Sequence, residues 1–302
     1  MKYFYIHPFK PQYFFPKTFK KHAVFISFFR PYSRIGKISW GLFRTFGLYR
    51  MFFAKINIEV FIPENEIRKI IGSNPLMAFN AGTSGPEQKI TGLGWDKNNY
   101  FFIKYAQTPL SIKNILNEYN VLCQISGLDF VPQIQTFHQD EKQVLLKTDV
   151  LIGIKLGNVR LNETILNCLY KLSELSIASD NKYAPSVKTV FSHGDFCPWN
   201  MMEQDGRILL FDWETGGEYP LGYDVFTFLF QTHFLLEPEN PIQSVLSENK
   251  VVIDQYFHHF KIFDWNIYLT IFSRVKVDLE KKKGAKGMLS QYKNLLDYAK
   301  KA

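Results

Sequence analysis

Three oxygen-bearing side chains in the second half of the chain have the types and spacing to do chemistry together. Asp195 follows a His-Gly pair in a predicted tight loop, and Asn200 lies five residues further on. The dipeptide Asp205-Gly206 predicts a two-residue hairpin turn, after which an apolar strand leads to Asp212. Such a hairpin folds Asp212 back beside the loop, so the two carboxylates and the amide oxygen can converge.

These side chains suit magnesium chemistry. Carboxylate and amide oxygens are hard ligands, which Mg²⁺ accepts while it keeps waters and substrate phosphates. A carboxylate that does not ligate the metal can orient and deprotonate an attacking hydroxyl. The pattern is therefore suited to a magnesium-dependent reaction at a hydroxyl group.

The same stretch resembles the signature of the aminoglycoside phosphotransferase and choline kinase-like family, which are small-molecule relatives of the protein kinases. The resemblance is carried by the runs His193-Gly-Asp-Phe-Cys-Pro-Trp-Asn200 and Phe211-Asp-Trp-Glu214. It implies that Asp195 is the catalytic base, that Asn200 and Asp212 bind Mg²⁺, and that ATP or GTP donates the phosphoryl group. The chain has Trp-Glu where protein kinases have Phe-Gly, which argues against a protein substrate.

The resemblance extends upstream through weaker motifs, over roughly residues 76–230. Lys104, in a predicted strand, matches the lysine that pairs with the nucleotide phosphates, and Glu118, on the next helix, matches the glutamate that positions it. Residues 81–86 stand where the family has its phosphate-covering loop, which makes Gly82, Ser84 and Gly85 candidate nucleotide contacts. That loop lacks a full G-x-G-x-x-G pattern, so an ordinary connecting loop is the alternative.

Three further residues near the motif have other predicted roles. His193 is predicted to brace the loop rather than to catalyse, because Asp195 already fills the role of base. Asp224 is expected either to support the catalytic loop or to cap a helix N-terminus. Cys197 occupies a variable position of the motif and is not expected to be a nucleophile.

The three cysteines lie far apart without a CxxC pair, which argues against a disulfide scaffold or a zinc ribbon and fits a reducing cytoplasm.

Strand patterns dominate before about residue 150, and helical patterns dominate after it. Predicted strands cover residues 56–62, 76–80, 88–95, 100–105 and 143–151, and predicted helices cover residues 64–71, a segment from Ser111 onward, and 162–177. Together with the resemblance, this order indicates an α+β, bilobal, protein-kinase-like fold. We expect a basic aromatic N-terminal extension (1–58), a β-rich N-lobe (59–152) and a mainly helical C-lobe with the catalytic loop (153–302).

Positive charge is concentrated at the N-terminus. The chain of 302 residues has a formal net charge of +8, yet its first 55 residues hold eleven Lys or Arg and no acid, and they carry 18 of the 50 aromatic residues. Interleaved cations and aromatics suit an anionic membrane surface or, with less support because no motif accompanies them, a nucleic acid. The alternative is that the aromatic side chains pack on the body of the protein.

No apolar run approaches the roughly 20 residues that a spanning helix needs, and no secretory signal is evident. A cytoplasmic protein, or one peripheral to the inner face of the membrane, is expected.

The predicted function is transfer of a γ-phosphoryl group to a hydroxyl of a small molecule: a sugar, an amino alcohol or a lipid-linked saccharide. The absence of an acidic cluster in the C-terminal region argues against an aminoglycoside. The alternative is a catalytically inactive kinase-like binding or scaffold protein at the membrane surface.

Overall fold

The computed structural model of the protein describes residues 3–5, 12–16, 25, 28, 34–45, 57–156, 160–176, 183, 186–283 and 286–301. The chain divides into two compact units, of which the first comprises residues 1–126 and 132–150 and the second residues 127–131 and 151–302. The chain therefore enters the second unit at residue 127, returns to the first at 132 and leaves it again after 150. The described residues of the predicted segment 1–58 fall in the first unit, together with the predicted N-lobe (59–152) apart from residues 127–131 and 151–152.

The first unit is built on a seven-stranded antiparallel sheet. Its strands are β1 (Tyr3–Tyr5), β2 (Tyr13–Pro16), β3 (Leu76–Asn80), β4 (Ile90–Asp96), β5 (Asn99–Ala106), β6 (Ile134–Gln139) and β7 (Val144–Thr148). They lie in the order β1-β2-β3-β4-β5-β7-β6. The helices whose bounds are described in this unit are α1 (Arg34–Thr45), α2 (Glu64–Ile71) and α3 (Pro109–Gln124). The described part of the basic segment thus adds two strands to the sheet.

Aromatic side chains from the basic segment enter the core of the first unit. Phe14 and Phe15 are adjacent on β2, so their side chains point to opposite faces of the sheet. Phe14 joins a cluster that contains Tyr3, whereas Phe15 joins another that contains Phe25 and Trp40. All five side chains are buried. The alternative in which N-terminal aromatics pack on the body of the protein is therefore observed for these residues.

Local signals place the helices of the first unit largely as predicted. Helix α2 covers the predicted residues and ends at Gly72, and helix α3 begins after Thr108, whose side chain accepts the amide hydrogen of Ser111. The strand predicted over residues 56–62 is wrong, because Ile58–Val60 forms a 3₁₀ turn. The side chain of Asn57 accepts the amide hydrogen of Glu59 at 3.2 Å, which favours the turn over an extended strand.

The second unit is mainly helical. Its helices are α4 (Glu163–Ser173), α5 (Tyr223–Phe226), α6 (Thr232–Leu236), α7 (Ile242–His259), α8 (Asn266–Lys283) and α9 (Lys286–Ala299), with a π-helical turn, Thr227–Gln231, between α5 and α6. Its short strands are β8 (Ile154–Lys155), β9 (Thr189–Ser192), β10 (Met201–Gln204), β11 (Arg207–Leu210) and β12 (Gly217–Pro220). The predicted α+β order, with a sheet first and helices after it, is confirmed.

The strands of the second unit form two small sheets, ordered β11-β10-β8 and β12-β9. Residues 127–131 complete the first of these, because the carbonyl oxygen of Phe130 accepts the amide hydrogen of Leu210 at 2.8 Å. Phe130 and Val131 are both buried. Among the helices that the structure describes, none has the length and apolar character needed to cross a membrane.

Candidate active site

The loop that carries Asp195 lies between two antiparallel pairs of strands. Strand β9, paired with β12, ends one residue before His193, and a 3₁₀ turn, Pro198–Asn200, leads into β10. The predicted hairpin then joins β10 to β11 through Asp205 and Gly206, whose φ angles are 50° and 73°. Positive φ at both positions is the geometry of a two-residue hairpin turn. Both ends of the catalytic loop are therefore fixed by strand pairing.

The carboxylate of Asp195 is held at both oxygens. The side-chain amide of Asn200 donates to Oδ2 at 2.8 Å and to the backbone oxygen of Asp195 at 2.9 Å. The side-chain amide of Gln231 donates to Oδ1 at 2.6 Å. The predicted convergence of Asp195 and Asn200 is thus present, and Gln231, which was not predicted, joins them.

The oxygen donors of this loop fit a divalent cation. Because the NH₂ group of Asn200 faces Asp195, its Oδ1 is the atom left to ligate a metal. The backbone N–H of Phe211 donates to the carbonyl of Asn200 at 3.2 Å, which ties the residue before Asp212 to the loop. Carboxylate oxygens of Asp212 and Glu214 lie within 4.8 Å of each other. An amide oxygen and two carboxylates are a donor set suited to Mg²⁺. Glu214 was not among the predicted ligands.

His193 braces the loop, as predicted. Its side chain is buried; Nδ1 accepts the amide hydrogen of Asp195 at 3.3 Å, and Nε2 lies 3.1 Å from the carbonyl oxygen of Phe211. A carbonyl only accepts hydrogen bonds, so the neutral tautomer with hydrogen on Nε2 satisfies both contacts. His193 therefore links the start of the loop to the end of β11.

Asp224 supports the loop from the start of α5. Its buried carboxylate accepts the amide hydrogens of His193 and Gly194, at 2.6 and 2.9 Å. Gly222 is the N-cap of α5, so the alternative in which Asp224 caps that helix is wrong. Burial raises the pKa of Asp224, and the two amide hydrogen bonds and His193 act in the opposite direction.

The predicted lysine–glutamate pair is present in the first unit. Lys104 on β5 lies 2.7 and 2.5 Å from the two carboxylate oxygens of Glu118 on α3, and both residues are buried. Charge-assisted contacts of this kind are stronger than neutral hydrogen bonds and hold the ammonium group beside Glu118. The role of this pair toward a nucleotide stays a prediction.

The loop between β3 and β4 contains the three predicted phosphate contacts. Ser84 and Gly85 are exposed, whereas the amide hydrogen of Gly82 is donated to the side chain of Asn80 at 2.9 Å. The side-chain amide of Gln88 donates to the carbonyl of Ala81 at 2.9 Å, which closes the base of the loop. Contacts of Gly82, Ser84 and Gly85 with a nucleotide stay a prediction.

Two residues near Asp195 were not predicted. Gln231 lies 36 residues after Asp195, at the end of the π-helical turn, and Lys276 lies 45 residues further on, in α8. The ammonium of Lys276 donates to the side-chain oxygen of Gln231 at 3.1 Å. No local sequence pattern marks a π turn, so only the three-dimensional packing identifies these residues.

Comparison with known proteins places the loop of Asp195 within a family match. Residues 161–246 match the family model described as the phosphotransferase enzyme family. No curated protein matches the chain.

Similar solved structures include three aminoglycoside phosphotransferase structures. One is APH(4)-Ia, with a TM-score of 0.53 at 11% identity, covering 80% of this chain and 97% of that one. Another is a type VIII aminoglycoside-3'-phosphotransferase, with a TM-score of 0.51 at 13% identity and coverages of 78% and 98%. A thermostable APH(4)-Ia variant, in a ternary complex with ADP and hygromycin B, gives a TM-score of 0.52 at 10% identity and coverages of 78% and 97%.

These likenesses confirm the bilobal kinase-like fold, and the family match covers the loop with Asp195, Asn200 and Asp212. The resemblance inferred from the sequence is thereby confirmed. The chain therefore has the fold of the aminoglycoside phosphotransferases, and its residues 161–246 are similar to the phosphotransferase enzyme family.

Proposed function

We propose that the protein transfers the γ-phosphoryl group of ATP or GTP to a hydroxyl group of a small molecule. The observation that carries this proposal is the Asp195 carboxylate, which is fixed between the amides of Asn200 and Gln231 at 2.8 and 2.6 Å. Oδ1 of Asp195 also accepts weakly from the Cys197 thiol at 3.7 Å, whereas Oδ2 keeps a second lone pair. The base is therefore oriented and still able to accept a hydrogen bond from an incoming hydroxyl.

In this reaction Asp195 orients the acceptor hydroxyl and takes up its proton. The new bond forms between the acceptor oxygen and the γ-phosphorus, and the bond from that phosphorus to the oxygen bridging to the β-phosphate breaks. The leaving nucleoside diphosphate keeps that bonding electron pair. Positioned general bases contribute about 10²- to 10⁴-fold to such steps.

The phosphate groups need positive charge, for which the chain has two candidate sources. Lys104, with its ammonium fixed by Glu118, would pair with the nucleotide phosphates. Asn200 and Asp212 would hold Mg²⁺, with Glu214 close to Asp212. When bound, the metal would neutralise negative charge on the phosphate oxygens.

For the acceptor we propose a neutral hydroxyl compound: a sugar, an amino alcohol or a lipid-linked saccharide. A polycationic antibiotic would need negative charge near the base. The buried ammonium of Lys276, one side chain away from Asp195, instead places positive charge there. The APH(4)-Ia complex contains hygromycin B, so that compound belongs in the acceptor screen as a comparison.

Calorimetric titration with ATP and GTP, with and without Mg²⁺, tests the proposal on the wild type, Asp212→Ala and Asp195→Ala. We expect Mg²⁺-dependent binding that Asp212→Ala loses. We expect Asp195→Ala to bind nucleotide as the wild type does and to lose at least about 100-fold in turnover with the acceptor found by screening. Retained turnover in Asp195→Ala would remove the base assignment. Absence of nucleotide binding by the folded wild type would favour the inactive binding or scaffold protein.

We also propose a peripheral contact between α1 and an anionic membrane surface. Ile38 and Leu42 lie one turn apart on α1 and are 64% and 48% exposed, whereas Trp40 is buried. The surrounding 55-residue segment has eleven cationic residues and no acid. Exposed apolar side chains within a cationic segment match the interfacial region of anionic lipid.

Cosedimentation with vesicles of phosphatidylcholine alone or mixed with phosphatidylglycerol tests this contact. We expect salt-sensitive binding to the anionic vesicles, weakened several-fold by Ile38→Ser with Leu42→Ser. The matched control is Ile267→Ser in the second unit, where Ile267 is also exposed. Equal binding to both vesicle types, or a preference for single-stranded nucleic acid over anionic vesicles, would contradict the proposal.

A further inference from the structure

Gln231 connects the carboxylate of Asp195 to a buried ammonium group. Its Nε2 donates to Oδ1 of Asp195 at 2.6 Å, and its Oε1 accepts from Nζ of Lys276 at 3.1 Å. A lysine ammonium only donates, and an ionised carboxylate only accepts. The two neighbours therefore permit one orientation of the Gln231 amide, with oxygen toward Lys276 and NH₂ toward Asp195.

Lys276 is placed at an energetic cost. It is 5% exposed, and among the described residues no carboxylate oxygen lies within ion-pair distance of its ammonium. Burial lowers the pKa of Lys276, and the more distant charges of Asp195 and Asp224 act in the opposite direction. An ammonium buried without a direct carboxylate partner is rarely kept for stability alone.

Aromatic rings surround the ammonium and offset part of that cost. Nζ of Lys276 lies 5.1 Å from the ring centroid of Tyr223, 5.7 Å from that of Phe272 and 5.9 Å from that of Tyr292. The negative faces of aromatic rings attract cations at such distances. The ammonium is thus held in a cage, and its one hydrogen bond among the described residues goes to Gln231.

The backbone that carries Gln231 is also unusual. Gln231 is the last residue of the π-helical turn that separates α5 from α6. A π turn within a helix is rare and is found frequently at functional sites. Here the turn delivers the side chain of Gln231 to Asp195.

We infer that Gln231 and Lys276 are positioning residues for Asp195. Lys276 orients the amide of Gln231, and that amide fixes Oδ1 of Asp195, as Asn200 fixes Oδ2. The carboxylate is then held in one rotamer, facing the acceptor hydroxyl. The inference rests on the proposed function, in which Asp195 is the base.

The first test is kinetic and uses Gln231→Met, Lys276→Met and Lys276→Arg. With the donor nucleotide and the acceptor found by screening, we expect both Met variants to lower kcat about 10- to 100-fold and to leave KM for the nucleotide within about twofold, because orientation is lost and nucleotide binding is not. Lys276→Arg, which keeps a donor and a charge, should recover most of the loss. The control is Lys282→Met, on an exposed residue of the same helix.

The second test needs no turnover. The side-chain amide signals of Gln231 can be assigned in ¹H–¹⁵N spectra by their absence in Gln231→Met. We expect these signals to exchange slowly with solvent and to shift in Lys276→Met and in Asp195→Asn, but not in Lys282→Met. Signals that stay unchanged in Lys276→Met and Asp195→Asn would overturn the inference, as would wild-type kcat in the folded Gln231→Met and Lys276→Met variants.

These experiments distinguish failure of the proposed function from failure of the positioning role of Gln231 and Lys276. If the wild type transfers no phosphoryl group, the proposed function fails, and the amide spectra alone decide the positioning contacts. If Asp195→Ala abolishes turnover while Gln231→Met and Lys276→Met keep it, the base assignment stands and the positioning role is wrong.

Discussion

Asp224 accepts the backbone amide hydrogen of His193 at 2.6 Å, across 31 residues of sequence. The same carboxylate accepts the amide hydrogen of Gly194 at 2.9 Å, so one side chain satisfies two successive buried donors just before Asp195. Removing it would leave both donors without a partner. Asp224 is therefore a structural support of the catalytic loop.

We expect Asp224→Ala to lower the free energy of unfolding by about 2–5 kcal/mol, because a buried donor left unsatisfied costs about 1–3 kcal/mol. Urea denaturation followed by circular dichroism measures this loss. Asp278→Ala is the control: Asp278 is exposed and faces Lys281 at 3.6 Å, so its removal should leave stability nearly unchanged. Equal stability of the two variants would contradict the support role.

A second prediction concerns the Lys104–Glu118 ion pair, in which each side chain compensates the buried charge of the other. Side-chain exposures are 9% and 3%. Lys104→Met removes the ammonium group that both carboxylate oxygens of Glu118 contact and should cost about 3–5 kcal/mol. Adding Glu118→Leu should restore part of that loss. A double-mutant cycle measures the coupling, and strictly additive losses would show that the pair contributes no coupling. The exposed pair Arg207–Asp129 serves as the control, with a coupling of at most about 1 kcal/mol.

Alanine substitutions at Gly194 and Gly206 distinguish the cost of a left-handed backbone conformation from the cost of a steric clash. Both have positive φ, 82° and 73°. A Cβ at Gly206 meets open space, whereas a Cβ at Gly194 would lie 2.3 Å from the backbone oxygen of Thr215. Gly206→Ala should cost about 1–2 kcal/mol, the price of the left-handed conformation alone. Gly194→Ala should cost more, because the catalytic loop must also move, and thermal denaturation compares the two. Similar losses of stability in the two variants would mean that the loop moves away from the added methyl group at no measurable cost.

The three cysteines are expected to differ in reactivity. Cys123 is exposed, whereas Cys168 and Cys197 are buried. Burial raises the pKa of Cys168 to about 12 and that of Cys197 well above its usual value. The reactive thiolate is therefore scarce at both buried positions. At pH 8 a maleimide should label Cys123 alone in the native protein and all three in urea, as mass spectrometry of peptides would show. Fast native labelling of Cys197 would contradict its burial beside Asp195.

Features set by short stretches of sequence were predictable. The Asp205-Gly206 turn, the helix that begins after Thr108 and the strand that carries Lys104 each depend on residues close together in the chain. The catalytic loop was predictable for another reason, because its residues follow a family pattern. Asp195 and Asn200 therefore meet as expected.

Features that depend on distant packing were not predictable. The Gln231 and Lys276 contacts require a π turn and a helix far along the chain, neither of which has a local signal. Residues 56–62 alternate weakly like a strand, yet the single hydrogen bond from Asn57 to Glu59 favours a 3₁₀ turn. The paired strands β1 and β2 were not predicted, because Tyr3–Tyr5 and Tyr13–Pro16 are short aromatic runs without polar–apolar alternation.

Residues 127–131 belong to the second unit but are synthesised before the first unit is complete. They leave the ribosome before β6 and β7, which complete the sheet of the first unit, and about 80 residues before Leu210, whose amide bonds to Phe130. In the nascent chain, the sheet of the first unit can therefore be completed before the hydrogen bond between Phe130 and Leu210 can form. Neither unit can therefore be expressed intact as one continuous fragment. A fragment that begins after residue 150 lacks Phe130, whose carbonyl oxygen accepts the amide hydrogen of Leu210 in β11.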